Sequence, residues 1–408
     1  MVSQTLLSEP WAVCRRDPAR ALNVAALALF GFSISIGPQW VSITTAIVVL
    51  VWLVRGRFRR FPGLVAHNPV VRAAVLLFGL FVVGVAYSPI EFSDSLLALK
   101  KYRELIMIPL LMSLADDDGE RDIAVLGMMA GILFSLALVY ADWFGLLGPS
   151  YRREPGAFQN RIVFSTLLSF YLFWASHRVV DRSGAWRWFL AITIVAGTII
   201  LIYAIGSRTG YVLFVILALL FGTQRWRLKG LAIATLCMAV FLALAFQVSG
   251  SFKHRVTQAV ESGLTYEPGK RGGSTRARLE QWRVTVEAIS QSPVVGHGTG
   301  SLSYALKNFS SRSYARPAQP HSEYLLIMVQ IGAVGLAALL WLFLTQWRAA
   351  WRAPPPWSHL GQGLVVLFAA TCAFNSALFN SPEGHLFAFM SAMVFAGPAL
   401  RTGEDGSM

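Results

Sequence analysis

WFLAITIVAGTIILIYAI (Trp188–Ile205), SRTGYVLFVILALLF (Ser207–Phe221) and LAIATLCMAVFLALAF (Leu231–Phe246) follow one another, parted only by Gly206 and by a short linker holding Arg225, Arg227 and Lys229. Each run approaches the roughly 20 apolar residues that a helix needs to cross a bilayer. Working outward, further apolar runs cover Ala21–Ile36, Val41–Val54, Val70–Tyr87, Leu96–Ala115, Ile123–Leu147 and Ile162–Ser176 before this triplet, and Tyr324–Leu344, Leu364–Phe379 and Leu386–Leu400 after it. The expected fold is an all-α integral membrane protein of about twelve transmembrane helices, one polytopic domain over residues 1–408, with a large loop at residues 248–320 between helices 9 and 10. Composition agrees: 55% of the 408 residues are hydrophobic and 14% charged, which excludes a soluble domain with an ordinary charged surface.

An even span count puts both termini on one side. The short basic loops Arg55–Arg60, Arg178–Arg187, Arg225–Lys229 and Arg348–Arg352 then share the side of Arg15, Arg16 and Arg20, and the positive-inside rule makes that side the cytoplasm. No small-residue cleavage site follows Arg20, so the first apolar segment reads as an uncleaved helix. Cys14, Cys237 and Cys372 are scattered without ligand spacing, which argues against a disulfide scaffold or a zinc site.

The outer side then holds cations that orientation does not explain. They are Arg152, Arg153, Arg161, Arg208 and the 248–320 stretch, with ten Lys/Arg against four Glu. With 35 Lys+Arg against 21 Asp+Glu in the whole chain, a phosphate-bearing substrate or anionic lipid suits the balance better than nucleic acid. Charge alone does not separate a bound diphosphate from lipid headgroups. Lys100, Lys101, Arg103 and Glu104 interrupt the fourth span, whose outer half is expected to line a wet cavity. The i,i+4 spacing pairs Lys100 with Glu104 and leaves Lys101 and Arg103 as unpaired candidates.

Arg161 stands where the chain re-enters the membrane, and Arg208 lies in a tight turn between two spans. Leu279, Trp282, Val286 and Ile289 recur on one face of an amphipathic helix expected near 276–291, accompanied by Arg276, Arg278 and Arg283. His321 opens the tenth span beside Glu323 and Tyr324, where an imidazole of ordinary pKa about 6.5 suits a general base. His254, His297 and His385 are its outward competitors. Asp116-Asp117-Asp118 has a D-x-D spacing but falls on a short cytoplasmic connection, where a solvated turn is the plainer reading. No P-loop, H-E-x-x-H or G-x-S-x-G is present.

Taken in order, Phe158-Gln159-Asn160-Arg161, Ser207-Arg208-Thr209-Gly210, Arg278-Leu279-Glu280-Gln281-Trp282, Pro293-Val294-Val295-Gly296-His297-Gly298-Thr299-Gly300 and His321-Ser322-Glu323-Tyr324-Leu325 resemble the O-antigen ligase and polymerase superfamily of bacterial envelope proteins. Ser322 departs from the Asn expected after the histidine. The resemblance implies a glycosyltransferase-C-like enzyme of the bacterial inner membrane with a periplasmic active site. It would move a preassembled O-antigen glycan from undecaprenyl diphosphate to the lipid A core, completing lipopolysaccharide without metal or cofactor. It maps the catalytic histidine to His321 and the diphosphate-binding arginines to Arg161 and Arg278, with Arg208 beside them. Lys101, Arg103, Arg276, Glu323 and Tyr324 are supporting candidates. A polymerase with the same lipid-linked donor and a transporter of lipid-linked glycan remain the alternatives.

Overall fold

The computed structural model describes residues 17–147, 158–268, 273–307 and 319–397. Among these residues every regular element is helical: α1 Pro18–Ser33, α2 Pro38–Val54, α3 Phe61–His67, α4 Pro69–Ala86, α5 Phe92–Leu99, α6 Glu104–Met112, α7 Asp118–Trp143, α8 Arg161–Asp181, α9 Gly184–Ile200, α10 Arg208–Val248, α11 Gly250–Leu264, α12 Ser274–Gln291, α13 Leu302–Ala305, α14 Glu323–Arg352, α15 Trp357–Phe374 and α16 Ser381–Phe395. Six helical stretches are long and apolar enough to cross a membrane: α4, α7, Gly184–Ile205, α10, α14 and α15. The pair Pro38–Val54 and Arg57–His67, bent by 80°, makes a seventh if it is one span. The protein is therefore a multi-pass helical membrane protein.

Starts and breaks follow from local chemistry. Proline opens α1, α2 and α4, where its missing N–H costs nothing. The carboxylate of Asp17 and the amide oxygens of Asn68 and Asn160 cap α1, α4 and α8 by accepting first-turn N–H groups. Although α10 is continuous by its hydrogen bonds, Trp226 and Arg227 leave helical geometry. Gly222 and Gly230 then meet backbone to backbone, and the Phe214 and Phe241 rings lie 5.9 Å apart. The element is a hairpin whose arms carry the Ser207–Phe221 and Leu231–Phe246 runs.

A second break lies in α14 at Gly332 (φ 65°) and frees two carbonyls and two N–H groups. The Gly-rich loop after α12 takes over all four. Val329 O and Gln330 O accept from the His297 and Gly298 N–H groups, while the Ala333 and Val334 N–H groups donate to Pro293 O and Val294 O. These four bonds replace the helical ones that the break removes. Gly298 (φ 96°) packs against Ser88, and the Thr299 N–H and hydroxyl donate to Gly84 O and Phe81 O. Gly296-His297-Gly298-Thr299-Gly300 is thus a clasp joining α12, α14 and α4.

The fourth apolar run departs from the expected pairing. A 3-10 turn at Lys100–Tyr102 separates α5 from α6 and rotates Lys100 off the Glu104 face. Glu104 is buried and faces Arg103 Nε at 3.7 Å and His385 Nδ1 at 3.5 Å. Arg103 is accordingly paired, and Lys101 lies over the Phe379 ring, 4.6 Å from its centroid.

At the other end of the bundle, Asp116 accepts a two-pronged pair from Arg57 and a further bond from Arg60. Asp117 caps α7 and pairs with Arg20, and Asp118 pairs with Arg121. Burial alone would raise the Asp116 pKa, but the Arg57 and Arg60 guanidiniums hold it below the ordinary carboxylate value.

Candidate active site

Four short motifs from distant parts of the chain meet at the end of the bundle opposite Asp116, and in each the fold consumes the neighbours of one cation. In the first, Gln159 Nε2 donates to Ile34 O at 3.1 Å and Asn160 caps α8, so Arg161 stands at the first helical position. In the second, Gly206 turns the chain through φ 60°, Ser207 caps α10 by accepting the Gly210 N–H, and Gly210 packs against Ser165. Arg208 is left at the first position of α10, its guanidinium donating to the Ser274 and Thr275 hydroxyls at the start of α12.

In the third motif, Glu280 is held by Tyr266 and Arg283, and Trp282 Nε1 donates to Pro320 O at 2.9 Å. Arg278 is half-buried beside Arg208, and no carboxylate among the described residues pairs with it. Burial first, and the Arg208 charge second, lower its pKa from the ordinary arginine value. The fourth motif is the turn before α14. His321 takes a left-handed backbone (φ 52°), which a residue with a Cβ adopts only under constraint. Its constraints are the Trp282 bond to Pro320, the Ser322 hydroxyl donating to Cys372 O, and the Glu323 N–H donating to Asn375 O.

The charges form one chain of neighbours. Arg161 and Arg255 both act on Arg208, Arg208 acts on Arg278, and Arg278 acts on His321. Burial, then the Arg278 charge, hold the His321 imidazole below the ordinary histidine value, while the Asn375 carboxamide opposes them. The ring's Nδ1 is buried and makes no hydrogen bond among the described residues.

The other expected residues lie elsewhere. Arg276 donates to the Thr265 hydroxyl, and the Tyr324 hydroxyl donates to Ala369 O. Glu323 does not orient His321: its buried carboxylate accepts the Leu378 and Phe379 N–H groups and so ties down the turn between α15 and α16. Arg103 and Lys101 occupy the positions described above. Among the competing histidines, His297 Nε2 meets Ala288 O at 3.0 Å, His385 is buried against Ser381 and Glu104, and His254 is exposed on α11. Arg152, Arg153, Cys14 and most of the 268–273 basic stretch fall outside the described residues.

The buried face of α12 runs through Gln281, Val284, Thr285, Ala288 and Ile289, with Val286 exposed. It is rotated from the expected face, and Trp282 lies beside it, half-buried and bonded to Pro320. Two neighbours of the site carried no motif, Arg255 on α11 and Asn375 at the end of α15. An apolar crevice of about 260 Å³ lies between α9 and the second arm of α10, lined by Ile199, Ile202, Tyr203, Phe241, Leu244 and Val248. It reaches the π-turn Leu201–Ile205 that leads into Gly206 and Ser207.

Residues 191–340 match the family model of O-antigen ligases. The match supports the superfamily of O-antigen ligases and polymerases, and with it a glycosyltransferase-like function on lipid-linked glycan at a membrane. It covers just over a third of the chain and includes Arg208, Arg255, Arg278, the clasp loop and His321, but not Arg161 or Asn375. No curated protein matches the chain.

Proposed function

We propose that this protein is an O-antigen ligase that transfers a preassembled glycan from undecaprenyl diphosphate to the lipid A core, with inversion and without a metal. The observation that carries this reading is the run of neighbouring arginines, Arg161 and Arg255 around Arg208, Arg208 next to Arg278, and Arg278 next to His321, with no carboxylate among the described residues paired to any of the four. Unit charges about 8 Å apart at an effective dielectric of about 20 repel by about 2 kcal/mol, so such a cluster invites a multivalent anion. Arg161 and Arg208 also open α8 and α10, whose N-terminal N–H groups favour negative charge at the same place. The crevice beside the Ser207 turn suits an apolar tail attached to that anion.

In this mechanism the arginines hold the diphosphate and stabilise the charge it gains on leaving. His321 takes the proton from the core-sugar hydroxyl as its oxygen bonds to the anomeric carbon and the carbon–oxygen bond to the diphosphate breaks. A depressed imidazole pKa keeps the base unprotonated near neutrality. The same reading places twelve spans in the inner membrane, both termini in the cytoplasm, and the site in the periplasm.

The test is donor binding and single-turnover transfer on purified His321→Ala with lipid-linked O-antigen and lipid A core. Donor binding should stay near normal while transfer falls by about 10² or more. Transfer close to the wild-type rate would remove the catalytic assignment and favour a transporter. A product lengthened only on the lipid carrier would mark a polymerase.

A further inference from the structure

Behind His321 lies a polar arrangement that no motif announces. Asn375 ends α15, is buried, and reaches the histidine turn twice, through its backbone carbonyl, which accepts the Glu323 N–H at 3.2 Å, and through its carboxamide, which faces the imidazole. Glu383, fully buried in the first turn of α16, fixes the carboxamide's rotation, because Asn375 Nδ2 donates to Glu383 Oε1 at 2.6 Å. Turning the amide over would lose the Nδ2 bond to Glu383 Oε1 and set Nδ2 against the Asn380 NH2 group. The Asn380 carboxamide reinforces the same choice by donating to Asn375 Oδ1 at 3.3 Å. The carboxamide opposes the lowering of the imidazole pKa, as an acceptor does and a donor would not, so Oδ1, which keeps a lone pair beside the Asn380 bond, is the end turned to the ring.

An amide oxygen only accepts, so the ring nitrogen that meets it must carry the hydrogen, and a neutral imidazole has one such nitrogen. The other then keeps its lone pair. We propose that Asn375, clamped by Glu383, is the positioning residue for His321, holding its ring and tautomer so that the unprotonated nitrogen faces the acceptor hydroxyl. This rests on His321 being the base, as argued above. The charged group facing the ring from α12 is Arg278, and the Glu323 carboxylate is turned away to Leu378 and Phe379.

The experiment compares Asn375→Leu with wild type and His321→Ala in one assay set: donor binding, single-turnover transfer, and its pH profile. Asn375→Leu should bind donor within about two-fold of wild type and lose about ten-fold or more in transfer, in line with the effect of removing a group that orients a reacting side chain. Its acid limb should move to lower pH, because an acceptor that favours the protonated ring is gone. Glu383→Gln, which keeps an oxygen for Asn375 Nδ2, should lose less than Glu383→Leu. If Asn375→Leu does not yield folded protein, Asn375→Ser, too short to reach the ring, is measured in its place. Wild-type transfer by the Asn375 variant while His321→Ala is inactive overturns the positioning role and leaves the base intact. So does a loss of transfer with an unmoved acid limb, or one that merely follows lost donor binding. An active His321→Ala overturns both.

Discussion

Arg278→Ala separates a functional from a structural arginine, because the two make opposite predictions for the unliganded protein. Arg278 sits half-buried with Arg208 as its charged neighbour and no carboxylate among the described residues. Removing a like charge should therefore leave thermal stability unchanged or slightly raised, whereas breaking a buried ion pair costs several kcal/mol. Donor affinity should fall. One charge-assisted hydrogen bond to a diphosphate oxygen is worth about 1.5–3 kcal/mol, or about ten- to a hundred-fold in Kd at about 1.4 kcal/mol per decade. Arg278→Lys should recover only part of this, since an ammonium cannot bridge two oxygens in a fork. A third readout follows from His321. Its pKa is lowered by burial and then by the Arg278 charge, so losing that charge raises it, and the acid limb of transfer should move to higher pH. The assay is donor titration in nanodiscs with thermal melts and a pH series on the same preparations. A variant that melts earlier yet binds donor like wild type would refute the assignment.

Gly298→Ala should destabilise the protein by about 2 kcal/mol or more, because its φ of 96° disfavours a Cβ and the added carbon runs into the Ser88 backbone. An earlier melt in detergent checks it. Chelation with EDTA should leave transfer intact if arginines alone carry the diphosphate charge; loss of activity restored by magnesium or manganese would return Asp116–Asp118 to consideration. For topology, a cysteine at Ser262 should react with an impermeant reagent in spheroplasts and one at Ser183 should not; the reverse pattern would invert the assignment.

What the sequence makes legible is charge against apolarity. Arg161, Arg208 and Arg278 stand out because each is a cation next to an apolar run on the side where orientation does not call for one, and His321 because it opens such a run. The structure links these four in a chain of neighbours. The sequence is silent on the partners that reach them from afar. Asn375 lies 54 positions from His321 and has the composition of any helix end. Arg255 is one of ten cations in its stretch and acquires meaning only because α11 returns toward Gly206, where a Cβ would stand 3.6 Å from its Nε. Local spacing misled where backbone geometry changed. The i,i+4 rule paired Lys100 with Glu104, but the 3-10 turn at Lys100–Tyr102 shifts the register of the side chains that follow it. Helical periodicity likewise picked a face of α12 through Leu279, Trp282 and Val286, whereas the helix buries Gln281, Val284, Thr285 and Ala288.

The turn before α14 shows why the histidine motif needs the rest of the protein. A residue with a Cβ held at φ 52° is strained by about 1–3 kcal/mol and would relax if its flanks were free. Here they are not, since Pro320 O is fixed by Trp282 of α12, Ser322 by Cys372 O of α15, and the Glu323 N–H by Asn375 O. Two of these three anchors come from the α15 end, which the Glu323 and Glu383 carboxylates in turn brace from within. The remaining anchor comes from the helix that carries Arg278. A shift of α12 that moved Arg278 would therefore also move Pro320 and the ring beside it. On the proposed reading, leaving group and base would be coupled mechanically, through Trp282, as well as electrostatically, through the Arg278 charge acting on His321.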